Sequence, residues 1–141
     1  MLAMRRIDKF LYMLALEKRL LFQTALVLAA FRLGLWLAPF WMLRRAAERS
    51  MRRLRCESGD ETVISVASRI TQTSRYIPGA TCLPQALAAQ VLLRHAGFRP
   101  KLRIGVAKAD DGNLKAHAWV ECRGKTVIGA IPGQVFSIMN E

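Results

Sequence analysis

The stretch from Thr81 to Gly97 constrains the fold more than any other. Leu83, Ala86, Leu87, Ala88, Ala89, Val91, Leu92, Leu93 and Ala96 leave almost no polar face, so a helix here has to be surrounded by the rest of the chain. Thr81 is expected to cap it through its hydroxyl. Pro84 falls in the first turn, where no intrahelical N–H bond is lost, and Gly97 with Pro100 closes the other end. The residue held at the start of this buried helix is Cys82.

Beyond the helix the chain reads as strands. Lys101–Ala107 alternates with period two, Asp110-Asp111-Gly112-Asn113 makes a turn, and Ala116–Cys122 alternates again. Arg123-Gly124-Lys125 turns the chain into Thr126-Val127-Ile128, and Pro132-Gly133 leads into Val135–Met139. The expectation is a meander of about four antiparallel strands packed on the buried helix. On the middle strand Ala118, Val120 and Cys122 form the core face, while His117, Trp119 and Glu121 point the other way. Ahead of the buried helix, Glu61–Tyr76 carries a helical apolar stripe that Pro78-Gly79 ends.

The first part of the chain is basic and apolar. Residues 1–58 hold twelve Lys/Arg against four Asp/Glu, and the remainder ten against six, giving +8 and +4 of the total +12. Met4–Lys18 reads as an amphipathic helix, and Leu20–Leu43 as a strongly apolar segment flanked by Lys18-Arg19 and Arg44-Arg45. The length suits a bilayer span of about twenty residues. Against a span, Arg32 near its middle costs about 2.5–3.5 kcal/mol on insertion scales, and Pro39 interrupts the helix. A buried or groove-forming helix pair is the preferred reading, with membrane contact through residues 20–43 kept open. A signal peptide is not the expectation, because Glu17, Lys18 and Arg19 spoil the early apolar run and no convincing small-residue cleavage site follows. The expected organisation is a helical extension over 1–58, ending in the charged, turn-prone stretch before Gly59, and a catalytic core over 59–141.

Three cysteines cannot all pair, and Cys56, Cys82 and Cys122 match no zinc or redox spacing. A reducing cytoplasm, no metal and no cofactor are the expectation. Neither a helix-turn-helix nor an RNP pattern occurs, and no aromatic residues interleave with the basic ones, so nucleic acid is not an expected partner.

The chemistry suggested by Cys82 depends on a partner. A thiol attacks carbonyls at neutral pH when a helix N-terminus and an imidazole favour its thiolate. If the outward face of the middle strand looks toward the start of the helix, His117 supplies that imidazole, acting as general base and then as acid toward the leaving amine. Cys122 on the core face and Cys56 in a basic loop have ordinary roles, and His95 complements the C-terminal end of its helix.

Cys82-Leu83-Pro84-Gln85-Ala86-Leu87 with Leu92-Leu93-Arg94, then Leu102-Arg103-Ile104-Gly105-Val106, then Ala116-His117-Ala118-Trp119-Val120-Glu121 ahead of Gly124, resemble the lasso peptide biosynthesis B2 proteins. The resemblance covers about residues 62–130. It implies an α+β, papain-like or transglutaminase-like core: a central buried helix on a small antiparallel sheet, preceded by a helical N-terminal extension. It also implies a cytoplasmic cysteine peptidase that removes the leader from a ribosomally made precursor peptide, with Cys82 as nucleophile and His117 as base. The implied partners are the precursor leader, a B1-type leader-recognition protein and a macrolactam cyclase.

One position departs from the family pattern. Its third catalytic residue, usually an acid on the strand after the histidine, would fall near Val127-Ile128-Gly129-Ala130, where no carboxylate occurs. Glu121 is about 13 Å along the strand from His117, too far to orient the ring. Gln134, Asn140 or a backbone carbonyl remain candidates, so the orienting group is unassigned. A transglutaminase-like module that binds peptide without cutting it, and a membrane-associated adaptor, are the alternative readings.

Overall fold

The structure, a computed structural model, describes residues 2–49, 59–131 and 135–139, with residues 2–13 and 16 described by backbone alone. Cys56, Pro132-Gly133, Gln134 and Asn140, singled out from the sequence, lie outside the described residues.

The buried helix is α4, Cys82–His95. Ala86, Leu87, Ala88, Ala89 and Leu93 are sealed from solvent, as its lack of a polar face requires. Thr81 occupies the N-cap in an extended conformation, but its hydroxyl makes no cap bond. The sequence expectation is corrected here: the Gln85 amide donates to the Ala80 carbonyl at 2.7 Å, and the Gln85 N–H donates to Thr81 O. At the other end Gly97 takes a left-handed conformation, φ 91°, and the Phe98 N–H closes back on Leu93 O.

Three helices and the sheet surround α4. The Met4–Lys18 and Leu20–Leu43 segments are not two helices divided near Arg19. A single α1, Leu2–Leu37, runs through both, and the break comes at Pro39, after which α2 spans Phe40–Arg49. Among its described side chains α1 buries the stripe of Thr24, Leu28 and Phe31, against α4 and α3, Asp60–Ser74. α2 folds back so that the Leu43 side chain fills the space above Gly34. α3 buries Val63, Val66, Ile70 and Thr73, and it begins with Asp60 and Glu61, which suit the positive end of a helix.

The sheet contains β1, Lys101–Lys108; β2, Leu114–Cys122; β3, Lys125–Ile128; and β4, Ser137–Ile138. All described pairs are antiparallel, in the order β3-β2-β1-β4. This corrects the expected meander, because the last strand returns to the far edge beside β1, a Greek-key order. The β2–β3 turn is a two-residue hairpin with positive φ at both Arg123 and Gly124, the geometry that matches strand twist. Ala118, Val120, Cys122 and Ile128 face α4. Burial raises the Cys122 thiol pKa, which suits an inert core residue.

Leu87 and Leu93 are the largest fully buried side chains of α4. Leu87→Ala is expected to destabilise the fold by about 2–5 kcal/mol, read as a lower urea midpoint. A loss below about 1 kcal/mol would mean that this helix does not carry the core.

Candidate active site

Cys82 opens α4 and is half-buried with a free thiol. It lines an apolar cavity of about 390 Å³ together with Leu83, Ile104, Ala116, His117, Ala118 and Met139, and with Phe40 and Arg44 from α2. The first-turn N–H groups of α4 have no intrahelical acceptor and carry the positive end of the helix dipole, which favours a thiolate and an oxyanion beside Cys82.

His117 is near the start of β2 and borders this cavity, but its ring belongs to the face of the sheet opposite the core. It stacks with Trp119 at a centroid distance of 6.3 Å and with Phe136 at 5.2 Å. On that side a second cavity of about 320 Å³ lies among His117, Trp119, Thr126, Gly129, Val135 and Phe136. Among the described residues no hydrogen bond joins the imidazole to the Cys82 thiol. The two residues therefore share one cavity without a hydrogen bond between them.

The ring is tethered by the main chain. His117 Nε2 lies 2.6 Å from Gly129 O. A carbonyl only accepts, so this nitrogen carries the proton and Nδ1 holds the basic lone pair. Three features of the local backbone make the contact. β3 ends at Ile128, leaving the edge of β2 beside His117 free of a strand. A register shift between Val120 and Glu121 adds Val127 as an extra residue in β3 and carries the chain against Ala118 and Trp119. Gly129 has φ 80°, and a Cβ there would lie 2.7 Å from Ala118 O and 3.0 Å from Trp119 Cα. Only glycine fits.

Gly105 makes room on the other side. It pairs with His117 across the β1–β2 ladder, and a Cβ on it would meet Phe136 Cβ and Ser137 O at 2.9 Å. Glu121 accepts from the Trp119 indole at 3.1 Å and from Arg103 Nε at 3.3 Å. The indole bond first, then Arg103, holds its carboxyl below the usual glutamate range. It braces Trp119 and has no bond to His117.

Sequence reasoning missed the residues that reach the cavity by tertiary packing. Phe40 and Arg44 come from α2, and Met139 from the return of the chain to β1, which also brings Phe136 against the His117 ring. The lack of a carboxylate over Val127–Ala130, with a glycine among them, was the available signal for a main-chain tether.

An α+β domain in which a cysteine opens a buried helix beside an antiparallel sheet defines the class of protein. The family model for the transglutaminase-like superfamily matches residues 25–140, and the chain belongs to that superfamily. The superfamily includes cysteine peptidases and acyltransferases, and the fold is compatible with a cysteine peptidase. No curated protein and no solved structure gives a significant match to the chain.

Proposed function

We propose that this protein is a cysteine endopeptidase that removes the leader from a ribosomally made precursor peptide during lasso peptide biosynthesis. The observation that carries the reading is that Cys82, at the head of a buried helix, and His117 border one apolar cavity in a transglutaminase-like domain. The ordered cysteine-helix and His-Ala-Trp-Val-Glu motifs add the B2 resemblance.

In this reading His117 Nδ1 takes the Cys82 thiol proton once the substrate has drawn the ring toward the cavity. The thiolate adds to the scissile carbonyl carbon, and the first-turn N–H groups of α4 stabilise the oxyanion. The C–N bond then breaks, and the imidazolium gives its proton to the departing amine, which becomes the new N-terminus of the core peptide. Water, deprotonated by the same imidazole, cleaves the thioester to release the leader as a carboxylate and restore the thiol. The reading divides the work between an N-terminal region, 1–58, and a catalytic core, 59–141. The partners are the precursor leader, a B1-type leader-recognition protein and a cyclase that consumes the free amine. Incubating the chain and a B1-type protein with the precursor, then weighing the products by mass spectrometry, tests it. An intact precursor would reject it.

The outward seating of the His117 ring favours a second reading, a transglutaminase-like module that holds peptide without cutting it. Detection of the acyl-enzyme on Cys82 decides between the two.

The localisation reading is the cytoplasmic side of a membrane. Glu17–Leu37 is long and apolar enough to cross a bilayer, yet only 11% of its most apolar stretch is buried in the fold. Phe22, Leu26, Leu33 and Trp36 are exposed at helical spacing on one side of α1. Lys18 and Arg19 precede that stripe and Arg45 and Arg49 follow it, all outside the core, the arrangement of an interfacial helix on anionic lipid. The chain should float with vesicles containing phosphatidylserine and not with phosphatidylcholine alone. Leu33→Glu with Trp36→Glu should release it. Equal recovery of both proteins in the soluble fraction would count against membrane attachment.

A further inference from the structure

A second, polar cavity of about 440 Å³ adjoins the Cys82 site. Arg44 lines both. The rest of its polar lining is Glu48, Gln90, Arg94, Lys101 and Arg103, so four cationic residues and one carboxylate border it. The three guanidiniums are anchored with donors to spare. Arg44 Nε donates to Glu48 Oε1 at 3.1 Å, Arg94 Nη1 to Glu48 O at 2.9 Å, and Arg103 Nε to Glu121 at 3.3 Å, which leaves further N–H groups on each fork. Gln90 is 3% exposed, and its Oε1 has no hydrogen-bond partner among the described residues. An acceptor shut away without a donor is rare in folded proteins and calls for an explanation.

An anion would balance the excess of cations bordering the cavity, and a donor would satisfy the Gln90 amide. Phosphate or a free carboxylate supplies only the first. A peptide supplies both, through an acidic side chain and a backbone N–H. The position also fits a peptide running out of the Cys82 cavity. Gln90 is eight residues beyond Cys82 on α4, about 12 Å at 1.5 Å per residue, a distance an extended chain covers in about four residues.

We propose that the polar cavity formed by Arg44, Gln90, Arg94, Lys101 and Arg103 is a substrate subsite that takes an aspartate or glutamate about four residues from the bond held at Cys82. The proposal rests on the peptidase reading only for the place of the cut, because the cavity's charge and its unpartnered amide are independent of catalysis.

The test separates the two readings. Fluorophore-labelled Cys82→Ala protein is applied to an array of decapeptides with acetylated and amidated ends, each made in matched versions with Glu or Gln at one position, so that the side chain is the only carboxylate varied. Glu versions should retain about tenfold more protein than their Gln twins at one or two adjacent positions. Lys101→Gln and Arg103→Gln, checked for unchanged thermal unfolding, should each cut that preference by more than half. If Glu and Gln bind alike everywhere, or if the preference survives both variants, the subsite is disproved. The bound peptides are then offered to the wild-type protein. Cleavage about four residues from the Glu supports the subsite and its place. Cleavage at a fixed bond regardless of the Glu overturns it and leaves the peptidase reading intact. A Glu preference that vanishes with Lys101→Gln, in peptides that are never cut, upholds the acidic subsite and removes the peptidase.

Discussion

Cys82→Ala is expected to leave the precursor peptide whole while still binding it, with cleavage falling by at least about a thousandfold. In the proposed reaction its sulfur forms the thioester, and no other described cysteine can replace it. Cys122 faces the core, where burial disfavours its thiolate. His117→Ala should lose activity to a similar degree, and the double variant should be no worse than either single one, because a nucleophile and its base act as one unit. Iodoacetamide gives a readout independent of substrate. Cys82 should be alkylated faster than Cys56 at neutral pH, and His117→Ala should remove the difference. The alanine variants create at most a small void at a half-buried position, so they should unfold at the wild-type temperature. Equal alkylation of Cys56 and Cys82, unchanged by His117→Ala, would leave the thiol without an activating base and favour the peptide-binding module.

This prediction asks something of the ring. His117 is tethered outward by Gly129 O and by its contacts with Trp119 and Phe136, while the residue also borders the Cys82 cavity. Its strand has no β3 partner on one side at this point. Substrate binding is the event that would draw Nδ1 to the thiol. Catalytic hydrogen bonds that are long in a free enzyme commonly tighten in this way.

The elements nearest Cys82 were the most legible in the sequence, for physical reasons. A helix apolar on every side has one possible environment, so α4 and the core face of β2 followed from residue type alone. The hairpins followed from alternation and turn chemistry, Gly112 and Gly124 falling where φ is positive. The position of β4 was not legible. A two-residue pairing on the far edge is set by contacts of Phe136 and Ser137 with Gly105, and no local pattern encodes that. The same holds for Phe40 and Arg44, which enter the cavity because α2 folds back over Gly34 after Pro39. The continuity of α1 was obscured by the Lys18-Arg19 pair, which suggested a break. Charges facing solvent do not interrupt a helix.

The contact between His117 and Gly129 shows how an absence in a motif becomes informative once the backbone is known. In the Val127–Ala130 stretch, which holds no carboxylate, the Gly129 carbonyl accepts a hydrogen bond from His117 Nε2. A carbonyl fixes the tautomer as an acid would, but it carries no full charge to stabilise an imidazolium.

Gly129→Ala should therefore abolish most of the cleavage through main-chain geometry. The left-handed φ of 80° costs an alanine about 1–2 kcal/mol, and the added methyl would lie 2.7 Å from Ala118 O. Residue 129 has to shift, carrying its carbonyl off the imidazole. Gly112→Ala is the matched control. It has nearly the same φ, 82°, with open space where the methyl would go, so it incurs the strain without touching the site. Both variants should lose about 1–2 kcal/mol or more of stability. At a temperature where both are folded, Gly129→Ala should lose about ten- to a hundredfold in kcat/KM, and Gly112→Ala should keep wild-type turnover. The split between kcat and KM distinguishes positioning from simple weakening: the loss in Gly129→Ala should fall on kcat, with KM near the wild-type value. If the two variants lose activity only in proportion to their unfolded fractions, the Gly129 carbonyl has no part in orienting His117.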